Sequence, residues 1–141
     1  GRLDARRTLK SLVADLRFMK VMHELKKEES YKTHFLVPAK GDKLIPISVN
    51  DILFFYISDG IVKAVDRHAD AYIFSQSLDE LVELLNPRDF FRVNRQYLIA
   101  KKAITDVSLW FNGRLVINLK VPVPEKIIVS KAKVSEFKDW F

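Results

Sequence analysis

Three of the four glycines in this chain lie in turn motifs between short runs of β-forming residues. The motifs are Lys40-Gly41-Asp42, Asp59-Gly60 and Asn112-Gly113. Asp-Gly and Asn-Gly are the dipeptides that two-residue hairpin turns favour, and such turns join antiparallel neighbours. From residue 31 to residue 129 the sequence therefore predicts six to ten short strands, without the βαβ alternation of a nucleotide-binding fold.

Three other segments have the period of a helix. Residues 3–29 contain no glycine or proline and few β-branched residues. Ser77, followed three residues later by Glu80, predicts a capping box for a helix from Leu78 to Leu85. Ser130 is expected to cap a final helix that runs to the end of the chain. The expected fold class is mainly β, with one helix inserted among the strands and one at each end.

The first helix carries an apolar stripe with near-heptad spacing. Its members, three, four and three residues apart, are Leu9, Leu12, Leu16 and Met19. We predict that residues 1–30 form a linker helix, a candidate coiled coil that dimerises through this stripe, ahead of a domain over residues 31–141. Packing of the stripe within the chain is the alternative. Arginines near the N terminus leave a membrane-surface helix open as well.

The composition excludes several chemistries. Cysteine is absent, and with it disulfides, thiol nucleophiles and cysteine zinc sites. The glycines cannot form a phosphate-binding loop, and His23, His34 and His68 have no partner at metal-ligand spacing. No apolar run is long enough to cross a membrane. We expect a cytoplasmic protein with no catalytic site, no metal and no cofactor.

The net charge of +6 is unevenly distributed along the chain. Residues 88–141 contain 11 lysines and arginines against 5 acidic residues, whereas residues 31–87 contain 5 against 8. Concentrated positive charge attracts the phosphates of nucleic acids or an anionic membrane surface. The last third of the chain is therefore the expected binding region, with a solvated basic face that binds nothing as the alternative.

Near the start of that region, residues 90–97 combine four apolar and four polar side chains. Arginine pairs with guanine, and asparagine and glutamine pair with adenine, through two hydrogen bonds each. The polar members are Arg92, Asn94, Arg95 and Gln96, and the expected core anchors are Phe90, Phe91, Val93 and Tyr97. The segment is thus a candidate base-reading element, although a plain polar loop closing a sheet has the same composition.

The chain resembles LytTR domains, the DNA-binding half of LytR/AlgR/AgrA-type response regulators, over about residues 33–141. The matching segments, in the order of the family, are Ile52 to Gly60, Leu78 to Leu81, Phe90 to Gln96, and Val129 to Lys131. The resemblance implies an elongated fold of small antiparallel sheets whose loops contact DNA. It departs from the family at Asn94, where histidine is usual, at Gln96, where serine is usual, and at Lys131, where arginine is usual.

Three DNA contacts are carried over from the resemblance. They are Ile61 to Lys63, with Lys63 the charged member, then the four polar residues from Arg92 to Gln96, and then Lys131. We add Lys101 as a contact to phosphate. Because asparagine and glutamine favour adenine, the base preference is not expected to be that of the family.

The resemblance implies sequence-specific binding of double-stranded DNA by the output domain of a bacterial two-component transcription regulator. In the full-length protein the partners would be a receiver domain and a cognate histidine kinase in a phosphorelay, although some members carry a membrane region instead. The start at Gly1-Arg2 without methionine suggests a fragment of a longer protein, with Gly1 left by cloning. The alternatives are a β-domain that binds an acidic protein partner, and a single-stranded nucleic-acid binder that stacks bases on exposed phenylalanines and tyrosines.

Overall fold

The computed structural model describes the backbone from Arg2 to Phe141 and the side chains of residues 9–23 and 30–141. The chain forms two compact units, residues 1–31 and residues 32–141. The prediction for Gly1, and those that depend on side chains in the first turns of the helix, lie outside the described residues.

The first unit is a single helix, α1 (Arg2–Ser30), of 29 residues. The predicted helix is confirmed, and its role as a linker stays a prediction. At about 1.5 Å per residue it is roughly 43 Å long. Its described apolar side chains are 38–66% exposed. They are Leu9, Leu12, Val13, Leu16, Phe18, Met19, Val21 and Met22.

The second unit contains ten short strands, two α-helices and three single-turn 3-10 helices within residues 32–141. In chain order the strands and α-helices are β1 (His34–Pro38), β2 (Leu44–Ser48), β3 (Ile52–Ser58), β4 (Ile61–Asp66), β5 (Ala71–Phe74), α2 (Leu78–Leu84), β6 (Phe90–Arg92), β7 (Tyr97–Ala100), β8 (Ile104–Leu109), β9 (Leu115–Leu119), β10 (Ile127–Val129) and α3 (Lys131–Trp140). The mainly β class with its inserted and terminal helices is therefore confirmed.

The strands form three antiparallel sheets. Five of them are ordered β5-β4-β3-β7-β6, three are ordered β10-β9-β8, and β1 and β2 form a separate hairpin. Both glycine dipeptides lie in hairpin turns as predicted. Asp59 and Gly60 have φ values of 52° and 75°, and Asn112 and Gly113 have values of 58° and 72°. Positive φ at both central residues is the requirement of a type I′ turn.

The five-stranded sheet is covered on both faces. The neighbouring residues Phe54 and Phe55 point to opposite faces, and both are fully buried. On one face Phe55 meets Phe74, with ring centroids 5.1 Å apart, and Phe74 meets Phe35 of the β1–β2 hairpin at the same distance. On the other face α3 packs through Phe137, whose ring lies 5.7 Å from that of Phe91 of β6.

The two predicted helix caps differ in outcome. Ser77 accepts a hydrogen bond from the Glu80 amide at 3.1 Å and donates its hydroxyl to the Glu80 carboxylate at 3.3 Å, so α2 begins as predicted. Ser130 occupies the N-cap position of α3, but its side chain makes no capping hydrogen bond. The predicted position of Ser130 is therefore correct, whereas the predicted capping hydrogen bond from its side chain is not formed.

Candidate nucleic-acid interface

The candidate base-reading segment is the loop of residues 93–96 between β6 and β7, called here the β6–β7 loop. Its two ends are closed by a hydrogen bond from the Val93 amide to the Tyr97 carbonyl at 3.0 Å. The Gln96 carbonyl accepts from the amide of Ile57 on β3, also at 3.0 Å. The loop is therefore fixed at one end of the five-stranded sheet, next to the turn at Asp59 and Gly60.

Arg92 braces this loop from inside. Its Nε donates to the Asn94 carbonyl and its Nη2 to the Arg95 carbonyl, both at 2.8 Å, while Nη1 meets the Asp79 carboxylate of α2 at 2.6 Å. The Arg92 side chain is 24% exposed. A planar guanidinium with fixed donors can hold two carbonyls in one geometry, which a lysine cannot do.

Asn94 holds the loop from its own side chain. Its amide oxygen accepts from the backbone amides of Gln96 at 2.8 Å and Tyr97 at 3.0 Å. Its amide nitrogen donates to the Ile128 carbonyl of β10 at 3.3 Å. The amide oxygen thus forms an Asx-type turn within the loop, and the amide nitrogen joins the loop to the three-stranded sheet.

Arg95 and Gln96, in contrast, are exposed at the tip of the loop. Within residues 32–141, neither side chain makes a hydrogen bond or an ion pair. Their backbone groups are used to build the loop, while their side-chain donors and acceptors remain directed to solvent. Of the four polar residues that the sequence singles out, the structure thus leaves two available for a ligand and commits two to the loop itself.

The start of α3 lies beside the loop. A cleft of about 490 Å³ is lined by residues of both, among them Arg95, Ser130 and Lys133. Lys133 donates from Nζ to the Arg92 carbonyl at 3.1 Å, and Lys131 is exposed. The first turn of α3 contains no acidic residue. Two lysines at the positive end of a helix dipole are unfavourable by themselves and become favourable when an anion binds there.

Lys133 is the site residue that sequence reasoning missed. The available signal was the pair of lysines, Lys131 and Lys133, directly after the cap residue Ser130, where acidic residues are usual. A local rule broken in this way is expected at functional sites.

Lys63 lies in the middle of β4, partly exposed, opposite Tyr56 of β3. Tyr56 in turn lies opposite Tyr97 of β7. Lys63 is therefore two strands, or about 9.6 Å, from the strand that follows the loop. It shares the sheet face of Tyr97, and its strand neighbour Ile61 is exposed on that face.

Lys101 is placed away from the other predicted contacts. It follows the last residue of β7, while the β6–β7 loop precedes the first, so about 13 Å of strand separates them. Its Nζ lies 4.9 Å from the ring centroid of Trp140 at the end of α3. This cation–π geometry indicates a packing contact.

The predicted core anchors of the segment are buried: Phe90, Phe91, Val93 and Tyr97. Tyr97, only 2% exposed, cannot serve as a platform for base stacking. Burial, together with the Glu125 carboxylate 3.4 Å from its hydroxyl, raises the pKa of Tyr97 to about 12. Its phenol therefore stays protonated at neutral pH.

Among the residues whose side chains are described, no cluster of histidine and acidic residues has the composition of a metal site. No helix in the described part of the chain has the length and apolarity needed to cross a membrane.

The fold and this site together define a β-rich domain that presents a braced polar loop beside a basic helix start. The family model described as the LytTr DNA-binding domain matches residues 42–141. The chain belongs to the LytTR DNA-binding domain family, which is a class of DNA-binding domains and not a class of enzymes.

The chain is similar to curated proteins of bacterial signalling. It is 29% identical over 105 residues to the sensory transduction protein LytT of Bacillus subtilis, a match covering 74% of this chain and 42% of that protein. The LytT of Bacillus cereus is 26% identical over 117 residues, covering 82% and 46%. An uncharacterised response regulatory protein of Vibrio cholerae is 26% identical over 95 residues, covering 63% and 36%. The chain spans less than half the length of these relatives.

A solved structure has the same fold. It is the LytTr DNA-binding domain of a putative methyl-accepting/DNA response regulator from Bacillus cereus, with a TM-score of 0.67. The match covers 77% of this chain and 96% of that one at 17% identity.

Proposed function

We propose that the chain binds double-stranded DNA sequence-specifically, as the output domain of a two-component transcriptional regulator that works in the cytoplasm. The observation that carries the proposal is the contrast within the β6–β7 loop. Arg92 and Asn94 hold its backbone, whereas the side chains of Arg95 and Gln96 are exposed. A side chain on a fixed backbone can select one base edge, because the wrong base leaves its hydrogen bonds unmade.

Each residue of the site receives a role. Arg95 and Gln96 read bases from the loop, and Arg92 and Asn94 position them. Lys131, and Lys133 beside it, neutralise backbone phosphate at the start of α3, where the helix dipole adds to their charge. Lys63 contacts phosphate from the neighbouring part of the sheet. Lys101 is assigned to the packing of Trp140 instead, because its ammonium lies over that ring.

The α1 stripe supplies the proposed dimer contact. Leu9, Leu12, Leu16 and Met19 are all more than half exposed, and their spacing fits a paired helix. Two paired copies would present two loops to two half-sites, which strengthens binding through effective concentration. In the full-length protein a receiver domain, phosphorylated by a histidine kinase, would control this pairing.

Selection from a pool of random duplexes, followed by fluorescence anisotropy with the selected duplex, tests the proposal. We expect one recurring motif, preference for the duplex over its single strands, and a logarithmic affinity that falls steeply with salt concentration. Preference for single strands would support the stacking alternative. Absence of any selected motif, with salt-insensitive binding to an acidic protein, would support the protein-interaction alternative; either result would overturn the proposal.

A further inference from the structure

The turn between β8 and β9, residues 109–114 and called here the β8–β9 tip, carries the most exposed large apolar side chains of the described chain. Leu109 is 88% exposed and Phe111 is 70% exposed. The neighbouring Trp110 packs edge-on against Phe111, with centroids 4.9 Å apart. Hairpin turns are ordinarily polar, so three large apolar residues in succession at this position indicate a contact surface.

The β8–β9 tip is surrounded by cations. The Nζ of Lys126 lies 4.3 Å from the Trp110 ring centroid. The Nε of Arg114 donates to the Phe111 carbonyl at 3.0 Å, and its two other guanidinium nitrogens make no hydrogen bond within residues 32–141. The side chain of Lys131 also lies against the tip, because its carbons are 3.6 Å from the place that a β-carbon on Gly113 would occupy.

Negative charge is sparse in the same region. Residues 107–124 contain no aspartate or glutamate. The two acids that flank this range, Asp106 and Glu125, accept hydrogen bonds from Asn118 and Tyr97, and Glu125 lines the cleft beside Trp110. An apolar tip ringed by cations is complementary to a polyanion with an apolar interior, which describes nucleic acid better than it describes a protein surface.

The β8–β9 tip also has a fixed position relative to the β6–β7 loop. Leu115, the first residue of β9, lies opposite Val129 of β10, and the adjacent Ile128 carbonyl accepts the hydrogen bond of Asn94. The β8–β9 tip and the β6–β7 loop are therefore separated by roughly 10–15 Å, which is one or two strand spacings plus the length of a side chain. Half a turn of B-DNA is about 17 Å, so a loop in a major groove leaves the tip near the adjacent minor groove.

We propose that the β8–β9 tip is a minor-groove wedge: Leu109 and Phe111 enter the groove beside the one occupied by the β6–β7 loop and open a base step there. Arg114, Lys126 and Lys131 contact the phosphates on either side. Apolar side chains that enter a base step in this way bend the duplex toward the major groove. The inference rests on the proposed function, since it requires that the chain binds duplex DNA.

A selected duplex of about three helical turns, labelled at its ends with a donor and an acceptor dye, tests the wedge in the whole chain. The test variant is Leu109→Ala with Phe111→Ala, and the matched control is Leu36→Ala with Leu44→Ala. The control residues are similarly exposed and lie on the β1–β2 hairpin, which covers the opposite face of the five-stranded sheet. Circular dichroism establishes that each variant is folded.

We expect the test variant to bind about tenfold more weakly and, at saturation, to lose most of the change in energy transfer, while the control variant behaves as the parent. Parental affinity and bending in the test variant would overturn the wedge and leave the proposed function intact. Weaker self-association with unchanged DNA binding would assign the tip to a protein contact instead. A parent chain that binds no duplex would overturn both proposals.

Discussion

Replacement of Arg92 distinguishes two roles for this residue: holding the β6–β7 loop in place, or contacting DNA directly. The Arg92 guanidinium makes two charge-assisted hydrogen bonds to the carbonyls of Asn94 and Arg95, each worth about 1.5–3 kcal/mol before the freed carbonyls regain water. The Asp79 carboxylate is 92% exposed, so the ion pair adds only about 0–1 kcal/mol. We expect Arg92→Ala to lower the free energy of unfolding by about 2–4 kcal/mol and Asp79→Ala by at most about 1 kcal/mol.

Urea unfolding and anisotropy with the selected duplex measure the two consequences together. Arg92→Lys keeps the positive charge but lacks the forked donors of the guanidinium. If Arg92 braces the loop, this variant too should lose stability and at least about tenfold in specific affinity. Asp79→Ala, which frees one guanidinium nitrogen, should leave specific binding near the parental level. If Arg92→Ala unfolded at the parental urea concentration and only reduced the salt slope by about one, Arg92 would be a phosphate contact, and the brace would be wrong.

Three further outcomes are expected. Because the pKa of Tyr97 is raised from 10.0 to about 12, its contribution to stability is complete below pH 10 and is lost as pH rises to about 12; Tyr97→Phe should abolish that part of the alkaline destabilisation in unfolding curves. Lys131→Ala should reduce the slope of logarithmic affinity against logarithmic salt concentration by about one without changing the selected motif, and a changed motif would make Lys131 a base reader. Leu12→Glu with Leu16→Glu should shift the chain to a monomer in sedimentation velocity, and a parent that is already monomeric at high concentration would exclude the α1 dimer.

The features that sequence predicted well depend on near neighbours. The turns at Asp59-Gly60 and Asn112-Gly113 follow from backbone preferences of the dipeptides themselves, and the cap of α2 joins residues three positions apart. The pattern of short strands follows from the same local signals. These predictions required no knowledge of how distant parts of the chain meet.

Which polar residues hold the loop and which are exposed was not predictable, because the answer depends on partners that are distant in sequence. Arg92 and Arg95 are the same residue type three positions apart, yet Arg92 alone reaches Asp79 on another element. Asn94 bonds a carbonyl 34 positions away, and Lys133 bonds one 41 positions away. The sequence identified the segment as a candidate, whereas the contacts of the folded chain distinguish its braces from its exposed side chains.

The central claim is that Arg95, held by a braced loop, reads a base. Parallel selections from one random duplex pool, with the parent chain and with Arg95→Ala at the same salt concentration, test it most directly. We predict that the variant binds the parental motif about 1–3 kcal/mol more weakly and loses the preference at one base position of each half-site, while the remaining positions keep theirs. Recovery of the same complete motif with the same enrichment would contradict the claim.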